Sequence, residues 1–193
     1  MRRALCATML ALLILSGCAS TGPTLTSPKI DVDTPALRAI KKDAGIEACP
    51  IADAELVHNV LPDAVVPCLG GGRSVNLARL RGPLIINLWA QFCGPCRKEM
   101  PVLQKFYEQF GFEVPVIGID YTDPQPELAL QLAKKTGARY PMVADYDNNI
   151  RVVGLPTTIM IDETGKVVYN HGGRVGSVVE LRALVAKYLG VVM

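Results

Sequence analysis

The 193-residue sequence predicts an α/β fold, a central mixed β-sheet flanked by helices with an N-terminal β-hairpin extension. Three observations carry that expectation. Residues 83–90, Pro-Leu-Ile-Ile-Asn-Leu-Trp-Ala, make a nearly continuous apolar run of strand length, the pattern of a strand buried on both faces. Strand and helix patterns then follow in the order strand, helix, strand, helix, strand hairpin, helix, which describes a mixed sheet with packed faces. Hydrophobic residues make up 50% of the chain and charged ones 20%, enough for a core and incompatible with a disordered chain. The formal charge of +2 provides no basic field, so no nucleic-acid partner is expected.

The chain begins Met1-Arg2-Arg3, and residues 4–15 are apolar apart from Thr8. As a helix that stretch spans roughly 18 Å, short of the ~30 Å hydrocarbon core, and fits the h-region of an export signal. Leu15-Ser16-Gly17-Cys18 looks like a bacterial lipobox, in which Cys18 is lipidated and becomes the mature N-terminus. Residues 1–17 are thus expected to be a lipoprotein signal peptide, with a plain signal peptide as the alternative. Two or three acyl chains would hold the protein on the bacterial cell membrane. It would face an extracytoplasmic, oxidising space in which disulfides persist. Residues 18–33, rich in Ser, Thr, Gly and Pro, read as a flexible tether reaching roughly 20 Å.

Residues 34–63 form an N-terminal helix and irregular extension, and 64–190 the main domain. Thr34-Pro35 caps and opens a helix over 35–44, closed by Gly45, with Leu37, Ile40 and Ala44 as its stripe. Residues 46–62 read as irregular or weakly helical. Residues 65–69 and 73–77 flank Gly70-Gly71-Gly72 as a hairpin, and 78–82 make a turn or short helix. After the strand at 83–90, a helix runs to Phe110 with Leu103, Phe106, Tyr107 and Phe110 inward. Residues 114–120 are a second buried strand. Residues 127–136 are a helix with Leu128, Ala129 and Leu132 inward. A strand at 157–161, a turn and a returning strand at 166–169 form the late hairpin. Ser177-Val178-Val179-Glu180 is a capping box that opens a last helix carrying Leu181, Leu184, Val185 and Tyr188.

The six cysteines stand at 6, 18, 49, 68, 93 and 96. Cys6 leaves with the signal and Cys18 carries lipid, so four thiols remain. Cys93-Gly94-Pro95-Cys96 sits where the buried strand meets a helix. There the free N–H groups and the dipole favour a thiolate, so Cys93 is the nucleophile. Cys96, one turn on and more buried, can close a disulfide with it, and Pro95 suits the first turn. Zinc would need four ligands, and His58 and His171 are isolated, so no metal is expected. No cofactor is expected beyond the Cys93–Cys96 disulfide.

Trp89-Ala90-Gln91-Phe92-Cys93-Gly94-Pro95-Cys96 after an apolar strand resembles thioredoxin-fold proteins. Further residues resemble the exported, membrane-tethered TlpA/ResA-like branch of the redoxin (AhpC/TSA) superfamily. They are Asn87 in Ile86-Asn87-Leu88-Trp89, the run Arg97-Lys98-Glu99-Met100-Pro101, Gly154-Leu155-Pro156-Thr157-Thr158, the hairpin from Cys68 to Leu77, and Leu80-Arg81-Gly82. The similarity covers about residues 64–190. It implies a thioredoxin-like fold and a thiol–disulfide oxidoreductase that reduces exported proteins, as in cytochrome c maturation. Its implied partners are exported protein thiols or disulfides and a membrane redox donor or acceptor. Pro156 resembles the family's cis-proline, which lies against the active disulfide and leaves the Leu155 backbone free for a substrate strand. A disulfide-introducing oxidase is the enzymatic alternative. A Cu(I)-delivery module using Cys93 and Cys96 is the rival of another class. A peroxidase relative would carry Thr where Ala90 stands.

Thioredoxin has a buried Asp at the position of Asn87, and a neutral amide accepts no proton. Proton handling for Cys96 then falls to Glu99 or to water, although Glu99 also reads as a solvated helix-face carboxylate. Trp89 shields the disulfide, and Phe92 lines the docking surface. In an oxidising space Cys49 and Cys68 pair as a structural disulfide, and closing a ~20-residue loop is worth roughly 3 kcal/mol. A second redox relay is the alternative for that pair. Arg73, Arg79 and Arg81 read as a solvated face, and Asp120, Asp123 and Asp145 as caps.

Overall fold

The structure, a computed structural model, describes residues 30–56 and 61–193. The expected signal peptide, Cys6, Cys18, the tether up to residue 29, and His58 lie outside the described residues. Packing begins before the first helix, because Val32, which composition assigns to the tether, is buried. Helix α1 (Pro35–Ala44) starts where the Thr34 side chain accepts the Leu37 N–H, and it ends at Gly45 in the left-handed region, φ 69°. A two-residue antiparallel pair follows, β1 (Val65–Val66) and β2 (Val75–Asn76), then a 3-10 turn at Leu77–Arg79.

The main sheet contains β3 (Leu84–Trp89), β4 (Val116–Tyr121), β5 (Met142–Asp145), β6 (Thr157–Ile161) and β7 (Val167–Gly172). Their spatial order is β5-β4-β3-β6-β7. β3 runs parallel to β4, and β4 to β5, while β6 is antiparallel to both β3 and β7. Helices α2 (Gly94–Phe110), α3 (Pro126–Thr136) and α4 (Val178–Leu189) make the connections and the last element. This is the expected α/β fold with a central mixed sheet.

The two faces of β3 serve different layers. Ile85 and Trp89 join a core supplied by all four helices, among them Leu37, Leu103, Leu130 and Leu181. Leu84, Ile86 and Leu88 join a second core with Val66, Val75, Leu77, Cys49 and Cys68. One face is thus roofed by helices and the other by the hairpin and the segment before it. Because both faces are covered, all six residues of β3 are buried, which accounts for the unbroken apolar run.

Three details differ from the sequence reading. Strand β5 was not anticipated, since four residues after Tyr140-Pro141 are too short to show a period. Leu128 is 43% exposed, and Leu130 takes the inward position on α3. On α1 the buried residues are Leu37 and Lys41, so a cation stands inside the expected apolar stripe.

Cys49 and Cys68 are joined in a disulfide. Residues 67–69 run along the free edge of β5: Leu69 N–H donates to Met142 O, Ala144 N–H to Pro67 O, and Cys68 pairs with Val143. The bond therefore fastens the segment after α1 to a strand that covers an otherwise open sheet edge. Replacing both residues, Cys49→Ser with Cys68→Ser, is expected to lower the unfolding free energy of the oxidised protein by roughly 3 kcal/mol, read from urea denaturation monitored at the single tryptophan.

Candidate active site

Strand β3 ends at Trp89, and α2 begins at Gly94 after only four intervening residues. Cys93 is the N-cap of that helix, in extended conformation, and its Sγ accepts the Cys96 N–H at 3.2 Å. Pro95 occupies the first turn, where its missing N–H costs nothing. Cys93 and Cys96 are joined as a disulfide, with Cα atoms 5.3 Å apart. Their burial is unequal: Cys93 is 8% exposed and Cys96 0%. On reduction, the sulfur at the rim faces the unpaired N–H groups of a helix start, which stabilise its thiolate. The inner sulfur is sealed from solvent and meets other sulfurs only through Cys93.

Glu99 lies three residues after Cys96 on the same buried helix face. It is 0% exposed, so it is not a solvated carboxylate. Its Oε2 accepts from Asn87 Nδ2 at 2.8 Å, and its Oε1 accepts the Val175 N–H at 2.7 Å. Burial pushes the Glu99 carboxyl above the usual carboxylate range, while these two hydrogen bonds pull the other way. Asn87 Oδ1 has no protein partner. A half-turn of the amide therefore offers a donor to ionised Glu99 and an acceptor to its protonated form. Asn87 cannot hold the proton, but it can accompany the group that does.

Trp89 is fully buried and shares the helix-side core with both cysteines. Its indole passes over Gly118 of the neighbouring strand. A Cβ at that position would lie 2.9 Å from Trp89 Nε1 and 3.0 Å from Tyr140 Cε2, so the close approach requires glycine.

The loop between Trp89 and Cys93 is clamped from two sides. Gln91 N–H donates to Asp123 Oδ2 at 2.7 Å, and Gln91 O accepts from Arg97 Nε at 2.9 Å and Nη2 at 2.6 Å. Asp123 also accepts the Gln125 N–H, as a capping residue does. Asp145 accepts the N–H groups of Asn149 and Ile150. Asp120 departs from the cap reading, since its hydrogen-bond partner is the Tyr146 hydroxyl rather than a backbone N–H. Burial, and then the charge of nearby Asp123, raises its carboxyl well above the usual range.

The Leu155–Pro156 peptide is cis. Leu88 pairs with Thr157, which brings Pro156 level with Trp89 at the end of the sheet where Cys93 stands. Phe92, beside Cys93, is 58% exposed. Cys93, Gly94, Pro95, Cys96, Glu99, Trp89, Phe92, Leu155 and Pro156 therefore gather at one end of the sheet. Cys49 and Cys68 lie apart, at the β5 edge. The clamp residues Asp123 and Arg97 carry no sequence signal of a site role, because nothing local in the sequence shows that the loop after β4 reaches Gln91.

A buried strand that presents Cys-Gly-Pro-Cys at a helix N-terminus, with a cis-proline strand alongside, defines the class: a thioredoxin-fold thiol–disulfide oxidoreductase. The model of the AhpC/TSA family matches residues 57–170, and the chain belongs to that family. It is 34% identical to the thiol-disulfide oxidoreductase ResA of Halalkalibacterium halodurans over 109 residues, 53% of this chain and 61% of that protein. It is 31% identical to the thiol:disulfide interchange protein DsbE of Pseudomonas fluorescens biotype C over 144 residues, 72% of this chain and 79% of that protein. Among solved structures, a thiol:disulfide interchange protein of Chlorobium tepidum superposes with a TM-score of 0.58 at 25% identity, covering 72% of this chain and 99% of that one.

The raised Glu99 carboxyl has a defined sign in stability. The neutral form's contribution is fully present below the unfolded carboxylate range and is lost as pH rises through the folded value. In Glu99→Gln the fall of unfolding free energy with rising pH should be shallower than in the wild type, by up to about one proton's worth of slope. Denaturation series over that pH range measure it.

Proposed function

We propose that the protein is a lipid-anchored, extracytoplasmic thiol–disulfide oxidoreductase that reduces disulfides of exported proteins through Cys93 and Cys96. The observation that carries the reading is the unequal burial of the two cysteines, Cys93 at the rim and Cys96 sealed behind it. The ResA and DsbE relatives support thiol–disulfide exchange as the chemistry. The lipobox-like Leu15-Ser16-Gly17-Cys18 supports the anchor.

In the reductive direction, the Cys93 thiolate attacks one sulfur of a substrate disulfide. The other substrate sulfur leaves as a thiolate and takes a proton. Cys96 gives up its proton towards Glu99, one helical turn away, and attacks Cys93 Sγ. The mixed disulfide breaks, the Cys93–Cys96 disulfide forms, and the substrate departs with two thiols. A membrane redox donor then returns two electrons to the pair. Phe92 and the Leu155 backbone before cis-Pro156 form the docking edge, where an extended substrate strand lies across the sulfur. Exported apoproteins with paired cysteines, such as apocytochrome c, are the substrate class.

Cys96→Ser leaves the nucleophile and removes the resolving thiol, so mixed disulfides on Cys93 should accumulate in cells and run as higher bands on non-reducing gels. An expressed Cys96→Ser protein without such adducts contradicts the mechanism. A redox titration against dithiothreitol fixes the direction: half-reduction below about −230 mV fits a reductase, and a value near that of strong oxidants fits disulfide introduction.

A further inference from the structure

Lys41 is one of two buried residues on α1, and it is buried against sulfur. Its Nζ lies 2.9 Å from Cys68 Sγ and 2.9 Å from Gly71 O. The 70–72 turn closes around it, since a Cβ at Gly70 would sit 2.8 Å from Lys41 Cβ. A buried ammonium needs a compensating charge. Here it finds a carbonyl and a disulfide sulfur, which is neutral and a weak acceptor. The acid that acts on it, Asp33, is engaged by Arg38 at 2.6 Å. Burial accordingly lowers the Lys41 pKa, with Asp33 opposing. The one change at this spot that would supply the missing charge is an anion on Cys68.

We propose that Cys49–Cys68 is a second thiol–disulfide exchange centre, opened by a vicinal dithiol, in which Lys41 stabilises Cys68 as the leaving thiolate. The proposal draws on nothing at Cys93 or Cys96. Exchange runs faster when the departing sulfur is the better-stabilised thiolate. Cys49 is also the more accessible residue of the pair, 8% exposed against 1% for Cys68. One thiolate of the dithiol attacks Cys49 Sγ, the bond to Cys68 breaks, and Cys68 departs as a thiolate beside the Lys41 ammonium. The second thiol of the reductant, losing its proton, attacks the reductant sulfur bound to Cys49. Cys49 leaves and takes a proton. The reductant ends as a disulfide and the pair as a dithiol, two electrons having moved. Opening the bond frees the segment after α1 from the strand edge that it fastens.

The test uses the full chain equilibrated in dithiothreitol buffers, then acid-quenched, alkylated and mapped by mass spectrometry at Cys49 and Cys68, with far-UV circular dichroism reporting the fold. The wild-type pair should open while the fold persists. Lys41→Met should need a reduced-to-oxidised dithiothreitol ratio about tenfold higher for half-opening, because the thiolate has lost its counter-charge. Lys41→Arg, which keeps the charge, should lie between them. An equal ratio in wild type and Lys41→Met, or opening only as the fold melts, overturns the proposal and leaves a plain staple. If Lys41→Met does not fold, glutathione treatment of the wild type decides: an adduct on Cys49 supports the assignment, and an adduct on Cys68 overturns it.

Discussion

The first N–H groups of α2 have no carbonyl within the helix to meet, and the chain places a sulfur in front of them. Much of the surrounding architecture follows from holding that sulfur still. Strand β3, buried on both faces, brings the chain to the helix start. The loop between them is gripped by Asp123 from the loop after β4 and by Arg97 from within α2 itself. Gly118 leaves room for the indole of Trp89 to approach the neighbouring strand closely. The cis peptide before Pro156 lies at the same end because β6 pairs with β3 in a register that ends there.

The two disulfides sit in opposite surroundings. Cys93 and Cys96 meet a helix N-terminus, a distributed partial charge, with an uncharged amide and a buried carboxyl behind them. That arrangement favours an anion at the rim and keeps a buried titratable carboxyl inside. Cys68 instead meets a whole positive charge on a flexible stem, within a turn shaped around it. A buried cation left without an anion is costly, so its placement beside sulfur is the least expected electrostatic feature of the fold.

Sequence patterns reached most of the fold because its strands and helices announce themselves by length and period. The run at β3, the caps Thr34 and Ser177, and the stops Gly45 and Gly137 all follow local rules that the structure obeys. Strand β5 escaped because four residues cannot establish a period, and its partners lie far along the chain. The Cys-Gly-Pro-Cys site was legible for the same local reason. What surrounds it was not: Glu99 reads as solvated until Asn87 and Val175 are seen to close over it. Lys41 lies at a helical position where a long polar side chain reads as surface. Only the fold, which brings Gly70 and Cys68 to within contact, turns it inward.

On the proposed function, the start of α2 makes Cys93, and not its partner, the reactive sulfur. The direct measurement is the rate at which iodoacetamide alkylates each thiol of the fully reduced, folded protein at neutral pH, with each site located by mass spectrometry. Cys93 should react at least about tenfold faster than Cys96. Equal rates at the two positions, or modification of Cys96 first, would contradict it.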